Sequence, residues 1–115
     1  MRRFGLLLFL FAALVAGAQN AGPTNAQIDW QQTNWIDSAL REMETIKVGM
    51  TRSQLMVVFT TEGGISTPSQ RTYVYRKCPT IKVDVKFAAE DSRGEMDTDK
   101  ITSISRPYLG WSVTD

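Results

Sequence analysis

The segment Ile81 to Phe87 (IKVDVKF) constrains the fold more than any other in this chain. Ile81, Val83, Val85 and Phe87 alternate with Lys82, Asp84 and Lys86. A period of two puts the apolar set on one side of a β-strand and the charged set on the other. Such a strand belongs to a sheet with one buried face and one wet face. The rest of the chain must then supply the strands beside it and the layer that covers its apolar side.

Upstream the period is 3.6. Trp35, Ile36, Ala39, Leu40 and Met43 form one helical stripe, opposite Asp37, Ser38, Arg41, Glu42 and Glu44. Thr33 or Asp29 suits the N-cap, and the helix is expected to end near Thr45 or Ile46. A second, short helix starts at Thr51. Gln54 stands three residues on, the spacing of a capping box, and Leu55, Met56, Val58 and Phe59 form its apolar stripe. Thr60 to Gly64 is expected to stop it. A loop follows over residues 65–70.

Arg71 to Arg76 (RTYVYR) alternates, with Tyr73 and Tyr75 on one side. Lys77 to Thr80 reads as a turn around Pro79, which cannot donate to a ladder. Lys100 to Arg106 is the next strand, closed by Pro107. Tyr108, Leu109, Trp111 and Val113 form a last strand or a strap. The order is helix, helix, strand, strand, strand, with short links between strands. This predicts an α+β domain: two N-terminal helices packed on one face of a three- or four-stranded antiparallel meander.

The chain opens with Met1-Arg2-Arg3, an apolar run from Phe4 to Ala16, and the small residues Ala16-Gly17-Ala18. That order is an export signal, with cleavage expected after Ala18. The run is shorter than the ~20 residues needed to cross a bilayer. The residue after the cleavage point is Gln19, not the Cys that would carry a lipid. The mature protein is therefore expected to be periplasmic or secreted and not lipid-anchored. Residues 19–28 (QNAGPTNAQI) read as a disordered linker, and residues 29–115 as one domain.

Composition narrows the function. The 115 residues hold 13 Lys+Arg, 12 Asp+Glu and no His, for a net charge of +1. Arg2 and Arg3 leave with the signal, so 97 residues remain with a net charge of −1. No basic stripe marks a nucleic-acid binder. Without His, the Ser-His and Cys-His mechanisms and the commonest transition-metal ligand are absent. The expectation is a non-enzymatic protein with no catalytic residues, no metal and no cofactor. Cys78, the single cysteine, leaves open an idle thiol or a homodimer through a disulfide. The acidic stretch Glu90 to Asp99 reads as a solvated loop, with a calcium loop as the alternative; its Asp97-x-Asp99 start lacks the glycine and closing Glu of that motif.

Lys47-Val48-Gly49-Met50-Thr51-Arg52, leading into a short amphipathic helix, resembles the start of the second helix in SmpA/OmlA-type envelope proteins. The order of Tyr73 to Arg76, Ile81 to Phe87 and Asp99-Lys100-Ile101 is similar to that family's sheet. β-Lactamase inhibitory proteins share the helix–helix–sheet unit. The resemblance spans about residues 33–109. It implies a BamE-like fold and a protein-binding role in the cell envelope, such as a scaffold for outer-membrane assembly. The unit shared with inhibitory proteins implies the alternative, a secreted inhibitor of a hydrolase. A small enzyme is a further alternative.

The partner is expected to be another envelope or secreted protein, with peripheral membrane association open. The candidate binding residues are Tyr73, Tyr75, Arg76, Arg106, Tyr108 and Trp111, because Tyr, Trp and Arg dominate protein interfaces. If Tyr73 and Tyr75 lie on the sheet face away from the helices, they form an exposed platform. If they lie under the helices, they are core.

Overall fold

The computed structural model describes residue 22 and residues 24–111. The expected export signal, residues 1–18, and Val113 lie outside the described residues. The elements are α1 (Asn25–Glu44), α2 (Arg52–Val58), β1 (Phe59–Thr61), β2 (Gln70–Tyr75), β3 (Cys78–Ala88), β4 (Lys100–Ile104) and β5 (Tyr108–Leu109). The strands run β1-β2-β3-β4 in one antiparallel sheet, and β5 also pairs with β3. The protein is α+β, as the two sequence periods predict.

α1 begins inside the expected linker. Thr24 is its N-cap: its hydroxyl accepts from the Gln27 amide while the Gln27 side chain accepts from the Thr24 amide. Thr51 and Gln54 build the same box at α2. In each case two helix-end N–H groups that have no partner within the helix are satisfied. α1 ends at Glu44 with Thr45 as its C-cap. Gly49 turns the chain between the helices at φ +92°, a region other residues rarely enter.

The strands depart furthest from expectation at two places, while β2 and β4 shift by one or two residues at their ends. Phe59 to Thr61 leaves α2 and becomes β1, pairing Phe59 with Tyr75 and Thr61 with Tyr73. The turn after β2 shortens to Arg76-Lys77, and β3 begins at Cys78. Tyr75 pairs with Cys78, but Val74 pairs with Lys82. The three residues skipped on β3 include Pro79, so the proline sits where β3 bulges out of the ladder. β3 then carries β4 and β5 in succession along its other edge. β4 takes residues 85–88, β5 takes Ile81-Lys82, and the Ser105 amide donates to the Asp84 carbonyl between them.

One core cluster joins Ala39, Met43 and Ile46 with Leu55 and Val58, and with Phe59, Tyr73, Tyr75, Val83, Val85, Phe87 and Ile101 from the strands. The inward set of β3 is thus the alternating apolar set of its sequence. Trp35 and Phe59 meet the Tyr75 ring edge-on, with centroids 6.4 and 6.2 Å away. Burying such a ring is worth on the order of 2–3 kcal/mol.

Candidate functional site

Tyr73 and Tyr75 are 0% and 1% exposed, so they do not form an external platform; they are core. Their hydroxyls stay hydrogen-bonded. Tyr75 donates to Glu42 of α1 at 2.7 Å, and the Lys77 ammonium donates to the same carboxylate oxygen at 2.7 Å. Lys77 and Tyr75 together hold the Glu42 carboxyl below its ordinary range. Burial, helped by Glu42, pushes the Tyr75 hydroxyl up to about 12.

Tyr73 accepts from Arg52. This arginine looks like a solvated charge at a helix start, yet it is buried. Its Nη1 donates to the Tyr73 hydroxyl at 2.6 Å, Nη2 to the Pro68 carbonyl at 2.8 Å and to Asp99 Oδ2 at 2.9 Å, and Nε to the Met96 carbonyl at 3.2 Å. The guanidinium carbon lies 3.7 Å from the Phe87 ring centroid. Burial alone would lower the guanidinium pKa; Asp99 and Tyr73 outweigh it and raise it. Asp99 also accepts from the Glu90 and Met96 amides, and these bonds hold its carboxyl below the ordinary range. The acidic stretch is therefore tied down at its end by Arg52. Among the described residues no group of His, Cys, Asp and Glu could hold a metal ion.

The alternating set that points away from this core lies elsewhere. Asp84 pairs across the sheet with Thr72. Its Oδ1 accepts from the Thr72 hydroxyl at 2.7 Å and from the Tyr108 hydroxyl at 2.9 Å. Tyr108 stands opposite Lys82 in the β3–β5 register and is 40% exposed. Burial raises its hydroxyl pKa, and Asp84 adds to the effect. Tyr108 is thus a fixed, protonated donor with part of its ring in solvent, and not a proton acceptor at neutral pH.

Lys82, expected on the wet side, is 6% exposed. Its ammonium donates to Glu62 and to the Trp111 carbonyl, so the C-terminal strap crosses it. The Gly110 amide donates to the Thr80 carbonyl, and a Cβ at Gly110 would come 3.3 Å from the Lys82 side chain. The sequence missed this pair because Glu62 reads there as part of a helix stop.

The remaining candidates are dispersed. Arg76 lies in the β2–β3 turn and donates to the Met56 carbonyl at 2.7 Å. Arg106 lines a hollow together with Leu40 and Glu44 of α1. Trp111 is 93% exposed at the end of the strap. Cys78 is half-buried, with its sulfur 3.2 Å from the Thr80 hydroxyl. Of the six candidate residues, only Tyr108 takes part in the outward cluster.

No protein-family model matches the chain. Comparison with curated proteins and with solved structures likewise gives no match. The likeness to SmpA/OmlA-type proteins is carried by the motifs quoted above and by nothing else.

Proposed function

We propose that this is an exported, non-enzymatic binding module of the bacterial cell envelope, with a BamE-like arrangement in which both helices cover one face of the sheet. The other face then receives a protein partner, in the manner of an assembly scaffold. The observation that carries this reading is the Asp84 carboxylate holding Tyr108 and Thr72. It fixes a part-exposed aromatic ring, flanked by a hydroxyl and a carboxylate, on the side the core does not use. A rigid aromatic anchor ringed by polar groups is what dominates the energetics of protein interfaces. The pattern suits a partner that presents an apolar knob with a hydrogen-bond donor beside it.

The test is capture from the native envelope by the exported protein carrying a tag. Wild type is expected to retain one partner, and Tyr108→Ala and Asp84→Asn to lose it while melting within a few degrees of wild type. Equal retention by wild type and both variants would remove the outward cluster from the proposal. A partner that is a hydrolase, inhibited at one-to-one stoichiometry, would favour the inhibitor reading over the scaffold.

A further inference from the structure

A second surface lies beside α1 and shares only Tyr108 with the Asp84 cluster. α1 leaves an apolar groove between itself and the β4–β5 edge. One part, about 260 Å³, lies between Trp35, Ile36 and Leu40 of α1 and Leu109 of β5. It adjoins a wider part of about 620 Å³, to which Leu40, Met43 and Pro107 are common. Trp35, Ile36 and Leu40 are each near half exposed, and Leu109 is 80% exposed. At roughly 200 Å² per large side chain these four expose on the order of 400 Å² of apolar surface. That is the scale of the largest apolar patch on a monomer, which is often a functional one.

We infer that this groove is the interface of a symmetric homodimer. Two observations favour a second copy as the occupant. The first is area. A standard interface hides about 800 Å² per partner, about 65% of it apolar in homodimers, and this groove offers most of that apolar share. The second is charge. Glu44 and Arg106 stand at the rim of the wider part of the groove. Neither forms an ion pair among the described residues, whereas Glu42 and Arg41 on the same helix do. In a two-fold interface, where residue i meets j and j meets i, Glu44 of each copy faces Arg106 of the other. Leu109 on one bank enters the hollow beside Trp35 on the other.

The test is the association state of the exported protein by sedimentation equilibrium. Wild type is expected to be dimeric at about 100 μM, and Leu109→Asp to weaken association at least ~100-fold, since it places a charge in an apolar contact. Glu44→Arg and Arg106→Glu each bring like charges together twice, and each is expected to weaken the dimer about tenfold. Mixing those two variants sets a guanidinium against a carboxylate again at both contacts, with the signs kept in one and exchanged in the other. A heterodimer of near wild-type affinity is therefore expected. The double variant on one chain should recover in the same way. These rim positions are exposed, so folding is not at stake in the charge-swap arm.

A chain that stays monomeric overturns the inference, as does a dimer insensitive to both Leu109→Asp and the charge swaps. Single swaps that weaken the dimer without recovery on mixing also overturn it. Asp84 lines no part of the groove, so Asp84→Asn is expected to leave the dimer intact, and loss of partner capture and loss of self-association are separable results.

Discussion

Arg52 Nη2 lies 2.9 Å from Asp99 Oδ2, and both side chains are buried. The pair joins the first turn of α2 to the end of the loop that precedes β4. The Arg52 amide also donates to the Asp99 carbonyl at 2.8 Å, so backbone and side chain close the same junction. Removing one member leaves a buried charge without its counter-ion. Asp99→Ala is therefore expected to cost about 3 kcal/mol or more. Urea denaturation checks this; a cost below about 1 kcal/mol would mean water replaces the carboxylate. Arg52→Lys is expected to recover little, because an ammonium cannot reach Tyr73, Pro68, Met96 and Asp99 at once.

The same carboxylate sets an acid limit. Asp99 has a lowered pKa in the folded state, so folding favours its ionised form. Its contribution is fully present above the unfolded value of about 3.9 and is lost as pH falls through the folded value. Wild type should hold its denaturation midpoint down to about pH 4 and lose stability below it. Asp99→Asn should be less stable at pH 7 and show a shallower loss in acid. Parallel pH profiles for the two proteins would remove Asp99 from the acid transition.

The chain has three tyrosines, and burial raises all of them: Tyr75 to about 12, Tyr73 and Tyr108 in the same direction. Absorbance of tyrosinate should stay low at pH 10 in the folded protein and appear on unfolding at the same pH. Ionisation near pH 10 before unfolding would contradict the hydrogen bonds to Glu42 and Asp84. Tyr75→Phe, which removes only the donor to Glu42, should cost about 1 kcal/mol.

Lys82 and Glu62 pair on the outward side with both side chains almost wholly covered. Glu62→Ala should cost about 3 kcal/mol, because the ammonium stays buried without it. Replacing both by apolar residues, Lys82→Met with Glu62→Leu, should cost less than either single change. Denaturation of the four proteins in a double-mutant cycle measures the coupling. Additive losses would show that the two side chains do not depend on each other.

The sequence carried the α+β class because two periods are written plainly in it: 3.6 across Trp35 to Met43 and two across Ile81 to Phe87. It carried the α2 cap as well. The α1 cap was written in the same Thr-x-x-Gln spacing at Thr24 and Gln27, but residues 25–34 bring little apolar periodicity, so that spacing stood alone. β1 was hidden because a three-residue strand has no measurable period and followed an apolar helical stripe. The side on which Tyr73 and Tyr75 lie could not be read, since alternation gives two faces without saying which is inside. Pairing fixes it: Tyr75 stands opposite Phe59, which is core. The Asp84–Tyr108 contact joins residues 24 apart in sequence through a two-residue strand, and nothing local encodes it.

β3 lends its edges to β2, β4 and β5. The sheet therefore has a hierarchy of opening. Tyr108-Leu109 can detach and leave the other strands paired, so its ladder amides should exchange with solvent through a local event. The amides that tie the middle of β3 to β2 are released only when the domain comes apart. An exchange experiment would find two populations, and the faster one would contain the very strand that positions Tyr108.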